Sequence, residues 1–201
     1  MKTMKNLFIV CVILISSNAF SQSFFGQIVE RLHFGVKAGA NFSNFTNANF
    51  DTEGLVGFHA GAIVGYEIND HFSIEEEFLY SQQGAKLKGN FTNDSDIKLS
   101  YLSVPILLKY KMPMGLFIEA GPQVGILIDE DVKALGIPAG NDFAEKIDGG
   151  VTGGIGWQFK NGFGVSARYY MSLTNVTKNT YPGTNTDFKN SSAQAGVFYI
   201  F

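Results

Sequence analysis

From Phe34 to Phe201 the chain repeats one pattern eight times: a run of residues that alternate in character, then a turn or loop. The runs are FGVKAGANF (34–42), FHAGAIVGYE (58–67), FSIEEEFLYS (72–81), YLSVPILLKY (101–110), LFIEAGPQVGI (116–126), VTGGIGWQF (151–159), FGVSARYYMS (163–172) and AQAGVFYIF (193–201). In the fourth, Leu102, Val104, Ile106, Leu108 and Tyr110 share one face, opposite Tyr101, Ser103, Pro105, Leu107 and Lys109. In the seventh, Phe163, Val165, Ala167, Tyr169 and Met171 stand against Gly164, Ser166, Arg168, Tyr170 and Ser172. Period two is the repeat of a β-strand, and no segment after residue 33 sustains a helical period. The pattern predicts an all-β chain of eight strands.

Alternation alone does not separate a soluble barrel from a membrane one, so the polarity of each face must decide. The polar faces are mostly Gly, Ser and Asn with isolated charges. Only 16% of residues are charged, against roughly 25% in an average soluble domain. That leaves too little Lys and Glu to cover a solvated sheet and protect it from aggregation. The opposite faces are long, apolar and aromatic at their ends, drawing on 19 Phe and 8 Tyr. They suit lipid, which about 9–11 tilted strand residues cross, and closure removes the unpaired edges that lipid forbids. The connections give an independent test. Short ones (69–71, 111–115, 160–162) alternate strictly with long ones (44–54, 84–96, 129–146, 175–190). The expectation is an eight-stranded antiparallel up-and-down transmembrane β-barrel. Its short turns and both termini are periplasmic and its long loops external, in the outer membrane.

The N-terminus fits export. Lys2 and Lys5 precede an apolar run from Leu7 to Ile15 and then small polar residues, the layout of a secretory signal peptide. Ala19 and Ser21 fall at −3 and −1 for cleavage before Gln22. The run is shorter than the ~20 residues of a transmembrane helix. The expected organisation is a signal peptide at 1–21, a leader segment at 22–33, either a short interfacial helix or an unstructured stretch, and the barrel at 34–201. Cys11 lies inside the apolar run, so the mature chain has no disulfide framework. Without Lys2 and Lys5, the 15 basic and 18 acidic residues give a net charge of about −5, and no basic stripe suggests nucleic acid.

The chain resembles the PorT-like outer-membrane β-barrel proteins of Gram-negative bacteria, often called simply the porin family. The likeness runs from Phe34 to Phe201. It rests on FGVKAGANFSNF, EEFLYSQQGAK, YLSVPILLKYK, EAGPQVG, GGVTGGIGWQF, ARYYMSLTNV and the aromatic terminus. It implies a small outer-membrane barrel, no established activity for most members, and for some relatives a tie to a protein secretion system. It also implies that the aromatic last residue is an address read by the barrel-assembly machinery.

By the alternation, Lys37, Glu75, Glu77, Lys109, Glu119 and Arg168 point into the barrel. Three acids and three bases in so narrow an interior suggest a paired polar plug, because buried charges are expensive unless paired and eight strands leave just enough room for side chains. If Tyr110 pairs with Leu116, Glu119 is a diagonal neighbour of Lys109. Glu76 breaks the alternation: it either faces lipid low in the membrane, near an interface, or is turned inward by a bulge within Glu75-Glu76-Glu77, of which the bulge is the expectation. Pro105 and Pro122 predict a bulge or a gap in the ladder. At the last strand, Val197, Tyr199 and Phe201 form the lipid-facing girdle and insertion signal. These features point to a non-enzymatic barrel that reinforces the envelope or docks a partner, an envelope or secretion-system protein. The alternative is a narrow conduit or small-ligand-binding barrel. A more remote one is a lipid-modifying hydrolase built on His59 and Ser81, which pair across if Ile68 pairs with Phe72. No spacing suggests a metal or cofactor.

Overall fold

A computed structural model describes residues 29–46, 52–87, 96–131, 144–176 and 188–201. The expected signal segment 1–21 and most of the leader lie outside these residues. Eight strands are present: β1 Leu32–Thr46, β2 Thr52–Glu67, β3 Phe72–Leu87, β4 Asp96–Lys111, β5 Leu116–Asp131, β6 Ile147–Gln158, β7 Phe163–Ser172 and β8 Lys189–Ile200. Each pairs antiparallel with the next, and β8 returns to β1 from Gly35↔Ile200 to Thr46↔Lys189, closing the barrel. Among the described residues no helix is long and apolar enough to cross a membrane.

At one end, four residues link β2–β3 (68–71), β4–β5 (112–115) and β6–β7 (159–162). Their sequences explain the tightness. Asn69 Oδ1 accepts the N–H groups of His71 and Phe72, both at 2.9 Å, a side-chain mimic of a backbone turn. Gly115 and Gly162 sit at φ +99° and +87°, where a side chain would be strained.

At the other end the strands run further than the alternating runs. The connections between strands are 47–51, 88–95, 132–146 and 173–188, so the first three are shorter than the sequence pattern indicated. The added strand residues turn apolar side chains into the bore and polar ones outward on β1, β3 and β4, while Val56 on β2, Ile128 on β5 and Ile147 on β6 stay exposed. Phe45, Leu55, Ala85, Ile97, Leu99 and Tyr101 point inward there and are at most 4% exposed, while Thr46, Lys86 and Lys98 are exposed. Backbone pairing continues although the apolar–polar alternation has reversed.

Two register expectations are corrected. Tyr110 pairs with Ile118, two residues beyond Leu116, so Lys109 stands directly opposite Glu119. No bulge occurs at Glu75-Glu76-Glu77: Gly65↔Glu75, Val64↔Glu76 and Ile63↔Glu77 run in unbroken register. Glu76 therefore faces outward, because Glu75 and Glu77 on either side are buried. The prolines give the gap rather than the bulge: on the β4–β5 ladder pairing runs from Val104↔Val124 and Pro105↔Gln123 to Leu108↔Ala120 in one register, with the ladder interrupted between them. Pro105 faces the bore and Pro122 faces outward, and in either place a Pro omits one ladder donor without adding a residue. The bulges lie instead between Gly54 and His59 on β2 and between Ser100 and Tyr101 opposite β5.

Candidate functional site

The alternation sends every second side chain of the turn-end half into the bore, and there the charged residues meet. Lys37 (β1), Glu75 and Glu77 (β3), Lys109 (β4), Glu119 (β5) and Arg168 (β7) are all 5% exposed or less. Arg168 grips Glu77 with both terminal nitrogens, Nη1–Oε2 at 2.6 Å and Nη2–Oε1 at 2.7 Å. Its Nε donates to Glu119 Oε1. Lys37 Nζ reaches Glu77 Oε1 at 3.4 Å. Lys109 Nζ bonds Glu75 Oε2 at 2.6 Å and approaches Glu119 Oε2 at 3.8 Å. One continuous ion-pair chain thus ties five strands together across the barrel. The planar guanidinium suits its centre, since it can serve two carboxylates at once.

His33 was not anticipated as part of this cluster, yet its Nε2 lies 3.3 Å from Glu75 Oε1. The signal was present: His33 continues the inward set Gly35, Lys37 backward by one step of two. Phe117 and Phe198 were likewise missed. Their rings meet edge-on at 5.8 Å, and Lys109 Nζ sits 4.3 Å from the centre of one and 5.2 Å from the other, within cation–π range.

Glycine makes room for these large groups. A Cβ on Gly154 would lie 2.6 Å from Arg168 Cγ, and one on Gly156 or Gly164 would lie 2.2 Å from the ring tip of Phe117 or Phe198. The Gly-rich inner faces of β6 and β7 are therefore sockets for the side chains opposite them.

Above the charges is a neutral polar layer. His59 Nδ1 pairs with Asn41 Oδ1 at 2.8 Å, Asn41 Nδ2 donates to Ser81 Oγ at 3.0 Å, Gln83 Nε2 donates to the same oxygen at 2.9 Å, and Asn190 Nδ2 donates to Gln83 Oε1 at 2.6 Å. His59 and Ser81 are indeed cross-strand partners, but Asn41 stands between them in the hydrogen-bond chain. Among the described residues His59 and Ser81 are thus joined through an amide rather than through a carboxylate. Nearer the loop end, Asp148 accepts from Ser172 Oγ, and from Thr174 Oγ1 at 2.9 Å. Beyond it the bore is filled by Phe45, Ala85, Ile97, Leu99, Tyr101, Ala144, Val176 and Phe188. Among the described residues no group of three His, Cys, Asp or Glu is placed to hold a metal ion.

At the turn end, a depression of about 730 Å³ is lined by the three turns and the C-terminal residues Tyr199–Phe201. A recess of about 30 Å³ below it stops at His33, Glu75 and Lys109. Val197, Tyr199 and Phe201 all face outward and are exposed. The Tyr199 and Phe201 rings contact each other at 5.6 Å, and the Phe201 N–H donates to the Phe34 carbonyl at 2.9 Å.

Comparison with known proteins bears on this barrel directly. The family model described as the outer membrane protein β-barrel domain matches residues 20–178. The chain belongs to that family. No curated protein matches it. Among solved structures, the barrel is similar to Neisserial surface protein A, at 18% identity over 84% of this chain and 97% of that one, with a TM-score of 0.56. Also similar are Ail, the attachment invasion locus protein of Yersinia pestis (15% identity, 84% and 98% covered, TM-score 0.49), and OprG from Pseudomonas aeruginosa (15%, 84% and 95%, 0.48). The Neisserial likeness shows the fold of an outer-membrane β-barrel with eight strands. The protein is an integral outer-membrane barrel.

Proposed function

We propose that this outer-membrane barrel is a closed, non-enzymatic scaffold of the cell envelope, with a plugged interior and a role in reinforcing the membrane or docking a protein partner. The observation that carries this reading is the ion-pair chain from Lys37 to Lys109, which crosses the bore with every member buried. Ions crossing such a layer would have to break charge-assisted bonds in a medium of low dielectric, an expensive step. The apolar layer from Phe45 to Phe188 adds a second barrier, since hydrophobic constrictions exclude water. In this reading the chain is exported by the signal segment 1–21, is folded by the barrel-assembly machinery, and keeps its short turns and termini in the periplasm. It lies in the PorT-like branch, whose resemblance points to an envelope or secretion-system partner.

Conductance in planar bilayers tests the plug. The wild-type barrel should insert without discrete current steps at 100 mV, and Arg168→Ala should give steps or noise. Well-defined steps from the wild type that vanish on neutralising Glu119 would establish the narrow conduit instead.

A further inference from the structure

Glu76 is the one Asp, Glu, Lys, Arg or His on the lipid-facing wall between the aromatic girdles, among the described residues. Its surroundings are apolar throughout. Across the ladder stand Val64 on β2 and Ile106 on β4, and along β3 its outward neighbours Ile74 and Phe78 are 43% and 42% exposed. No hydrogen bond or ion pair joins it to another described residue. Its depth is fixed by two aromatic pairs. Phe72 contacts Tyr110 at 5.0 Å at the turn-end girdle, and Tyr80 contacts Phe58 at 5.5 Å at the loop-end girdle. Glu76 is four residues from Phe72 and four from Tyr80, which puts it about 10 Å from either level at ~3.4 Å per residue and a strand tilt of ~40°. That is mid-depth, where an acidic or basic group is most unfavourable against lipid and lipid headgroups do not reach.

We propose that the outward face of β2, β3 and β4 around Glu76 is the contact surface of a homodimer, in which two copies meet about a two-fold axis along the membrane normal and their Glu76 carboxyl groups hydrogen-bond to each other. The occupant follows from depth. Any second copy in the same membrane presents Glu76 at the same level on the same face, and a two-fold axis brings a residue near the axis against itself. The copy offers no Lys, Arg or His on that band among its described residues, so Glu76 is its matching polar group, and the two carboxyls bond through one shared proton. Ala60 and Ala62, outward on the adjacent strand, let the walls approach closely, as small residues do in membrane interfaces. The same axis sets β2 of one copy against β4 of the other.

The test is disulfide trapping of full chains in lipid vesicles, with Cys11 replaced by Ala. Copies carrying Val64→Cys should oxidise to copies carrying Ile106→Cys, and neither should link to copies carrying Val165→Cys on β7. Dimer affinity read by energy transfer should fall about ten-fold or more for Glu76→Lys and survive in Glu76→Gln, whose amide also self-pairs. Heat-modifiable gel migration confirms that each variant is folded. A chain that stays monomeric at high protein-to-lipid ratio, equal trapping at Val165→Cys, or a folded Glu76→Lys that dimerises like wild type would overturn the proposal.

Discussion

The two halves of this barrel are built on opposite rules. In the turn-end half, Val36, Ile74, Ile106, Ile118 and Val165 face outward and the bore holds Lys37, Glu75, Glu77, Lys109, Glu119 and Arg168. In the loop-end half, Phe45, Ile97, Leu99 and Phe188 fill the bore and Thr46, Lys86 and Lys98 face out. The strands run through the boundary and pairing continues on both sides of the two bulges, with odd-numbered residues of β1 inward in both halves, so backbone geometry does not set the difference. The solvent outside does. Against lipid the wall must be apolar and the polar groups have only the inside to go to. Above the lipid the wall is wetted, and the ordinary hydrophobic core of a soluble barrel returns.

The turn-end half is most sensitive at Arg168. Arg168→Ala leaves Glu77 and Glu119 buried without their main partner, and should destabilise the barrel by about 3–5 kcal/mol in urea unfolding from lipid vesicles. In the loop-end half the sensitive residues are apolar. Leu99→Ala should cost about 2–5 kcal/mol because it empties a packed core. Leu102→Ala, three residues on and facing lipid, should cost clearly less, since no cavity forms. If the two Leu variants lost equal stability, the loop-end core would not be a packed core. Smaller effects belong to the sockets. Gly164→Ala should cost about 1–3 kcal/mol by crowding Phe198, and pairing it with Phe198→Leu should recover most of the loss.

How legible this was in the sequence follows the same division. Where lipid enforces alternation, the eight strands, their order and the inward set of six charges could be read residue by residue. Above the lipid, SNFT, TEGLV and DIKLS belong to strands but carry the reversed pattern over only a few residues each, so they read as loop. The apolar bore was invisible for that reason. Register across the β4–β5 turn was missed by two because turn chemistry, not face polarity, fixes it, and a two-residue slip keeps every face unchanged. Glu76 misled in the other direction. Its polarity argued for a bulge, yet the ladder on both sides keeps it on the lipid face. His33 and Phe198 were readable as inward, but nothing in a linear pattern announces which inward residues touch.

The buried charges act as one paired unit, and a double-mutant cycle between Glu77 and Arg168 in folded, lipid-embedded barrels measures that coupling. Glu77→Gln and Arg168→Met are made singly and together, and unfolding free energies are compared. The expected result is that either single change is strongly destabilising and the double change much less than their sum, with a coupling of roughly 2–3 kcal/mol. Additivity within about 0.5 kcal/mol would contradict it, and would mean that these charges are solvated separately in an open bore.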